Sequence, residues 1–393
     1  MPRLEPFAGI RYDPSKVDLA DVVAPPYDVI GPEEQATLEA RSAYNAVRVE
    51  LARDEAGEQR YALARRRIDS WLSEGVLAKD PAPGFYVYRM GYRDEAGRPR
   101  QTTGVLGILG LDGDGDEGGV LPHERTMAKP KHDRLNLLRA TQTNLSPIWG
   151  LSLSRGLSAL CDVAGPPIAR CTDDQGVHHR LWRVTEPGLV DAIKATVGAA
   201  PVVIADGHHR YATALAYRDE RRAEVGPEPA DHDFVLAYIV ELTPEEISVG
   251  AIHRVVDGLP DDFDPLGALD GFSAQSDNLS VASIAGAGLP ALVTSEGTWV
   301  LHSDDDSQGD DPDAARLGAV LDGWPAHSVT YMHSPDDVVA AITKGEGQVG
   351  LLLRPPTVAQ IAATARAGRR MPEKTTFFWP KPLTGLVFRR LDT

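Results

Sequence analysis

The order of apolar and polar positions divides the chain into short elements. "GPEEQATLEA" predicts a helix with Pro32 near its first turn. "AVRVELA", residues 46–52, alternates in character and predicts a strand. "QRYALARRRIDSWLSEG", 59–75, carries apolar residues at helical spacing and stops at Gly75. "GFYVYRMGYRD" and "RQTTGVLGILGLD" predict a hairpin, rich in aromatic and β-branched residues. Leu135 and Leu138 give "HERTMAKPKHDRLNLLRA" (123–140) a helical spacing, and "PGLVDAIKATVG" (187–198) predicts a short helix. "FVLAYIVEL" (234–242) and "ISVGAIHRVV" (247–256) predict another strand pair around a Pro-containing turn. After Val256 the chain turns acidic and loop-rich in "DGLPDDFDPLGALDG". A hairpin follows in "LPALVTSEGTWVLHS". Next comes a buried strand in "GQVGLLLRPPTVAQIAATARAG", with a helix opened by a proline pair and closed by Gly368. Helices and hairpins without regular βαβ alternation predict an α+β fold. The change of character divides it into a composite domain at 1–257 and a smaller C-terminal α+β region at 258–393.

One junction is unlike the rest. "VVIADGHHRYATALA", 202–216, runs from a buried strand into an alanine-rich helix and places Asp206, Gly207, His208, His209 and Arg210 at the join. A helix beginning near His208 presents free N–H groups and the positive end of its dipole. Gly207 lets an anion approach the backbone, and the Arg210 fork adds a charge-assisted contact. These features predict a phosphate cradle. Asp206 either caps the helix or binds a magnesium ion carried by the phosphates.

Charge sharpens the picture. The formal net charge of −17 argues against partners made of nucleic acid or anionic lipid. Part of the excess sits in "HSDDDSQGDDPDA" (302–314), which reads as a solvated loop. Against this background Arg125, Lys129, Lys131, Arg134 and Arg139 form a basic cluster, which suggests a small anionic metabolite or nucleotide. No apolar run reaches the ~18 residues of a membrane span, and the start lacks an export signal. The expected location is therefore the cytosol, with Cys161 and Cys171 as reduced thiols.

Other signatures fail on physical grounds. "GDGDEG", 113–118, matches a dinucleotide glycine pattern, but its three acids would repel a pyrophosphate, and a tight turn is expected instead. The same stretch lacks the glycine and the bidentate glutamate of a calcium loop. His208 and His209 are adjacent and point about 100° apart on a helix, so one ion does not take both easily. A protein-held metal would need His123, His253 or Asp206 as well, and none is expected. P-loop and G-x-S-x-G signatures are absent.

Asp-Gly-His-His-Arg followed by Tyr-Ala-Thr-Ala resembles the strand–turn–helix signature of the ParB/sulfiredoxin-like fold. The same five residues occur in the archaeal ADP-dependent free serine kinases. Over most of its length the chain is similar to a bacterial family known as domain of unknown function 1015. "VVAPPYDVI", "YNAVRVEL", "GGVLPHERTMAKPKHDRLNLLRATQTNLSPIWGL", "IADGHHRYATAL", "AIHRVV" and "MPEKTTFFWPKPLTGLV" carry that similarity. The resemblance implies a ParB/sulfiredoxin-like core with insertions, whose turn and helix N-terminus hold nucleotide phosphates. His208 stands where sulfiredoxin has its cysteine, which removes that chemistry. The expected activity is phosphoryl transfer between ADP or ATP and a small hydroxylated metabolite, such as free serine, with Mg2+ carried by the nucleotide. Gly207, His208, His209 and Arg210 would hold phosphates, and Arg125, Lys129 and Lys131 the transferring group or acceptor. Glu124 would be the base, with His123 or Asp206 as alternatives. The rivals are a non-catalytic module that senses a nucleotide and a metal-dependent phosphohydrolase built on His208, His209 and His253.

Overall fold

A computed structural model of the chain describes residues 1–55, 59–94, 97–111, 119–122, 129–276, 280–303 and 311–391. The chain forms two compact units. The first comprises residues up to Pro122, Thr126–Ile247 and the stretch from Pro380 onward; the second holds Ser248–Trp379. No helix among the described residues is long and apolar enough to cross a membrane.

The first unit opens with β1 (Leu4–Glu5), β2 (Ile10–Tyr12) and α1 (Leu19–Val22). α2 (Pro32–Arg41) begins as expected, with proline in its first turn beside Glu33 and Glu34. Residues 47–50, expected as a strand, are the short helix α3 (Val47–Glu50). The cause is Asn45, fully buried, which accepts the Val47 N–H at 2.9 Å and donates to the carbonyls of Asp21 and Val23. That local bond makes a turn out of a period-two pattern, and Val47, Val49 and Glu50 all face inward. α4 (Arg60–Ser73) ends where Gly75 adopts φ +68° and donates to the Leu72 carbonyl at 3.0 Å.

β3 (Leu77–Lys79) pairs with β2, and β4 (Phe85–Arg93) and β5 (Pro99–Gly110) form the expected hairpin. Then come β6 (Val120–Pro122), α5 (Lys129–Thr141), β7 (Thr143–Asn144), β8 (Ile148–Ser152), α6 (Leu157–Leu160), β9 (Ala169–Thr172) and β10 (His178–Val184). α7 (Pro187–Gly198) falls where it was expected, and β11 (Val202–Asp206), α8 (His208–Val225) and β12 (Phe234–Glu241) complete the run. The main sheet has the order β6-β11-β8-β12-β5-β4-β10-β9, with β1 added beside β5. β11 runs parallel to β6 and antiparallel to β8, with Ile204 opposite Pro122. Val202, Ile204, Ile148, Ile239, Ile193 and Val197 share one core, and burying such apolar surface is what drives the layers together.

The expected strand pair 234–242 with 247–256 does not form. β12 has β5 on one side and β8 on the other, so neither edge is left for a hairpin partner. β13 (Ser248–Gly250) and β14 (His253–Asp257) belong to the second unit. Its sheet joins β14 to β15 (Phe272–Ser276), β16 (Ala291–Thr294), β17 (Gly297–Ser303), β18 (Ser328–Met332) and β19 (Val349–Leu352). β16 and β17 are the expected hairpin. Four helices, α9 (Val281–Gly286), α10 (Asp313–Asp322), α11 (Pro335–Lys344) and α12 (Val358–Arg366), are described in this unit. Thr357 and Gln360 close a capping box on α12. β20 (Phe377–Trp379) pairs with β13, and β21 (Arg389–Arg390) returns to pair with β7 in the first unit. The two sheets and their flanking helices make the fold α+β. Of the acidic run 302–314, Asp313 is not a solvated loop residue. It is buried and takes both Nε and Nη2 of Arg354, at 2.8 and 2.6 Å.

β5 meets β12 closely at Gly104. A Cβ added at Gly104 would lie 2.7 Å from Val240 Cγ2 and 2.9 Å from Tyr238 Cε2 and would press on the Ile239 carbonyl. Gly104→Ala is therefore expected to destabilise the first unit by about 2 kcal/mol. Urea unfolding checks this, the midpoint falling while the denaturant slope stays constant.

Candidate functional site

β11 delivers Asp206 to the end of the sheet, and Gly207 turns the chain with φ +89° and ψ 27° before α8 begins at His208. This left-handed conformation favours glycine. The first helical bond runs from Tyr211 N–H to the Gly207 carbonyl at 2.9 Å, and no side chain caps the helix. The expected strand-to-helix turn is present. Asp206 does not cap it.

Asp206 instead anchors two cations. Arg210 folds back one turn, and its Nη2 donates to Asp206 Oδ2 at 2.5 Å while Nη1 donates to the Pro147 carbonyl. Lys381 Nζ donates to Asp206 Oδ1 and lies 3.9 Å from Asp28 Oδ2. The three side chains are only 10 to 17 % exposed. Burial works against the Asp206 charge, but the Lys381 ammonium and the Arg210 guanidinium outweigh it and hold the carboxyl down at about 2. Each of its oxygens thus faces a cation of the protein itself. The Arg210 fork, expected on a phosphate, is likewise engaged within the protein. A Cβ at Gly207 would meet Arg210 Nε at 3.0 Å, so the glycine also makes room for the returning guanidinium.

A second set of charges adjoins the first. Glu50 is 3 % exposed; its Oε1 accepts from Arg134 Nη1 at 3.2 Å and Ser146 Oγ at 3.5 Å. Its Oε2 is buried with no hydrogen-bond partner among the described residues. Burial pushes the Glu50 carboxyl up, although Arg134 and Arg210 both pull it down. Arg134 also donates Nε to Asp133 Oδ2 at 2.9 Å, and its guanidinium covers the Tyr27 ring at 4.5 Å. Burial raises the Tyr27 hydroxyl to about 12 against the pull of Arg210. Tyr27, Asp28, Glu50, Arg134, Asp206, Arg210 and Lys381 therefore form one electrostatic neighbourhood, drawn from five separate stretches of sequence.

His208 and His209 stand on the first turn of α8, half-buried, with both Nε2 atoms out of contact with solvent. His208 acts electrostatically on Asp206. His123, Glu124 and Arg125 lie outside the described residues, as does the 113–118 glycine pattern. Lys129 and Lys131 are placed by their backbone in the first turn of α5, which packs along α8 through Leu135, Leu138 and Tyr217. The remaining cations of the basic segment do not form a common anion-binding face. Arg134 turns inward to Glu50, and Arg139 pairs with Glu220 on α8 at 2.9 Å. His253 belongs to the second unit, where its Nδ1 accepts the Leu353 N–H at 3.1 Å. Burial first, then the Arg254 and His333 charges, lower it to about 4. Among the described residues no group of three or more His, Cys, Asp or Glu could hold a metal ion. Cys161 and Cys171 are free thiols, both pushed up to about 12 by burial.

Cavity size does not single out this neighbourhood. A cavity of about 790 Å3 lies elsewhere, between Pro14–Leu19 and Pro166–Arg170. Its Asp18 already caps α1. A cavity of about 430 Å3 is lined by Glu50 and Arg134. Perturbed, buried charges weigh more than volume here, because they are what a functional site must hold against desolvation.

The family model described as "Protein of unknown function (DUF1015)" matches residues 4–322. No curated protein matches the chain. Among solved structures, a free serine kinase in complex with AMP is similar with a TM-score of 0.40 and 15% identity, over 74% of this chain and 91% of that one. A substituted free serine kinase in complex with ADP gives 0.40 and 15%, over 74% and 92%. SbnI with a C-terminal truncation, from Staphylococcus aureus, gives 0.38 and 12%, over 71% and 85%.

Removing the Asp206 charge leaves two buried cations facing each other. Asp206→Asn is expected to destabilise the protein by roughly 3–5 kcal/mol. Adding Lys381→Met should recover more than about 1 kcal/mol of it, read as a double-mutant cycle. The pH dependence has a definite sign. A carboxyl depressed from 3.8 to about 2 contributes stability that is present above about 4 and is lost as pH falls through 2. Acid unfolding of the wild type should show this loss, and Asp206→Asn should lack it.

Proposed function

The chain belongs to the family described as protein of unknown function DUF1015, and we propose that its Asp206–Arg210 turn holds the phosphates of a nucleotide or phosphorylated metabolite for transfer to a small hydroxylated acceptor. The observation that carries this is the start of α8. A long helix begins behind a left-handed glycine with no side-chain cap, and the positive end of its dipole favours an anion there. Gly207, His208 and His209 offer that backbone. Lys381 supplies the nearest ammonium and can exchange Asp206 for a phosphate oxygen, while Arg210 fixes the turn from below. The Asp-Gly-His-His-Arg motif shared with free serine kinases supports ADP or ATP as donor and a free amino acid such as serine as acceptor. A chain at −17 suits a cytosolic enzyme of small molecules rather than a binder of nucleic acid.

In the transfer, the acceptor hydroxyl oxygen forms a bond to phosphorus as the bond from phosphorus to the leaving phosphate oxygen breaks. The hydroxyl proton passes to a base. Asp206 suits that task poorly, because a carboxyl held near 2 binds protons too weakly at neutral pH. Glu124 is the proposed base, with His123 as the alternative. Arg125, Lys129 and Lys131 are the proposed holders of the transferring group or the acceptor. Magnesium would travel with the nucleotide, and no step is assigned to it.

Phosphorus NMR of the protein with ADP or ATP and serine tests the proposal, phosphoserine being the expected product. Glu124→Gln should lower turnover by about 100-fold or more and leave nucleotide binding intact. Gly207→Val, strained at positive φ and crowding Arg210, should abolish the rise in melting temperature that nucleotide gives the wild type. Binding without turnover would replace the enzyme by the sensing module. Absence of any nucleotide effect would end the phosphate reading.

A further inference from the structure

We propose that the cavity of about 430 Å3 bounded by α2, α3, α4 and α5 is a second subsite, which takes a small zwitterion through Glu50 and the cavity's arginines. Its identification as the acceptor's subsite rests on the phosphotransfer reading; the binding itself does not.

Three carboxylates (Glu50, Asp54, Asp133) and three guanidinium groups (Arg53, Arg60, Arg134) line this cavity. Equal numbers of opposite charges leave the wall formally neutral and polar. A nucleoside diphosphate would bring several negative charges against three carboxylates, whereas a molecule with one ammonium and one carboxylate matches both signs. Most of these groups are already paired. Arg60 Nη2 lies 3.0 Å from Asp133 Oδ1, Tyr61 Oη donates to the same oxygen at 2.9 Å, and Asp54 Oδ1 accepts the Arg60 backbone N–H at 2.7 Å. Glu50 Oε2 is the exception, a carboxylate oxygen on a side chain 4 % exposed that has no donor among the described residues. A buried acceptor without a donor is costly, and the residue that carries it lines the cavity. A carboxylate oxygen accepts only donors, so the missing group is a donor, and an ammonium brings three N–H bonds with the complementary charge. The zwitterion's carboxylate then faces Arg53 and Arg60, about half-exposed at the rim. Glu50 also joins this cavity to the α8 turn, since Arg210 acts on its charge and Arg134 stacks on Tyr27.

The test is calorimetric titration of the full chain with L-serine and a panel of free amino acids, against ethanolamine and lactate, which each carry one of the two charges. Amino acids are expected to bind at least tenfold more tightly than either. Glu50→Gln should lose that binding by tenfold or more while its ADP binding stays near wild type. Because Glu50→Gln disturbs a buried pair, Ala52→Trp serves as a second variant that fills the cavity from its wall, and it too should lose amino-acid binding and keep ADP binding. Amino-acid binding unchanged in Ala52→Trp, or lactate binding as tightly as serine, or no amino acid binding at all, would overturn the proposal. Amino-acid binding that depends on Glu50 in a protein that ignores ADP would uphold this subsite and remove the phosphate turn.

Discussion

The buried carboxylate of Asp206 is the constraint around which the first unit is arranged. An ionised group so far from water survives only if its partners are close and correctly aimed. One partner, Arg210, comes from the next turn of the same motif; the other, Lys381, lies 175 positions away. The second contact requires the C-terminal stretch to return. Around Lys381 that return is secured by backbone bonds, Thr384 with Ala24 and Phe388 with Ile10, and by Leu383 N–H on the Tyr88 hydroxyl at 3.4 Å. Farther on, Arg389 sinks into the unit and donates to the Phe234 carbonyl at 2.8 Å. A local motif thereby ties both ends of the chain into one site.

The neighbourhood is charged yet nearly balanced. Lys381 and Arg210 face Asp206 and Asp28, while Arg134 faces Glu50 and Asp133. Balance lets these seven charged groups lie close together, five of them largely buried, but it also means that side-chain charge alone does not recommend the site to an anion. The proposed attraction rests on the backbone dipoles at the start of α8, which no side chain caps. Two features then lie in one neighbourhood: a helix start without a side-chain cap, and a wall of paired charges where Glu50 Oε2 has no partner among the described residues.

What was legible in the sequence follows the range of the interactions. The strand–turn–helix at 202–225 was readable because an apolar run, a glycine and an alanine-rich helix are local signals, and the same holds for α2, α7 and the β4–β5 hairpin. Glu50 was hidden because "VRVE" alternates like a strand, and only the Asn45 side chain, bonding the Val47 N–H, makes it a helix that points Glu50 inward. The supposed partner of β12 was mistaken because adjacency in sequence says nothing about edges already taken by β5 and β8. Lys381, Tyr27 and Asp28 carried no local signal at all. They do lie in "WPKPLTGLV" and "VVAPPYDVI", two of the stretches on which the family resemblance rests, and their meeting at Asp206 gives a physical reason for those stretches to go together.

The motif itself takes on a different meaning in three dimensions. Read along the chain, Asp206 and Arg210 looked like two groups offered to a ligand. In space they bind each other across a glycine, an i,i+4 pair spanning the first turn. Gly207 serves both halves of that arrangement, by adopting positive φ and by leaving the space into which the Arg210 guanidinium returns. With the acid engaged by its own arginine, it no longer caps the helix, and the N–H groups it would have covered are left uncapped by any side chain. The acid–base pair is therefore the frame of the turn, and the start of α8 behind it has no side-chain cap.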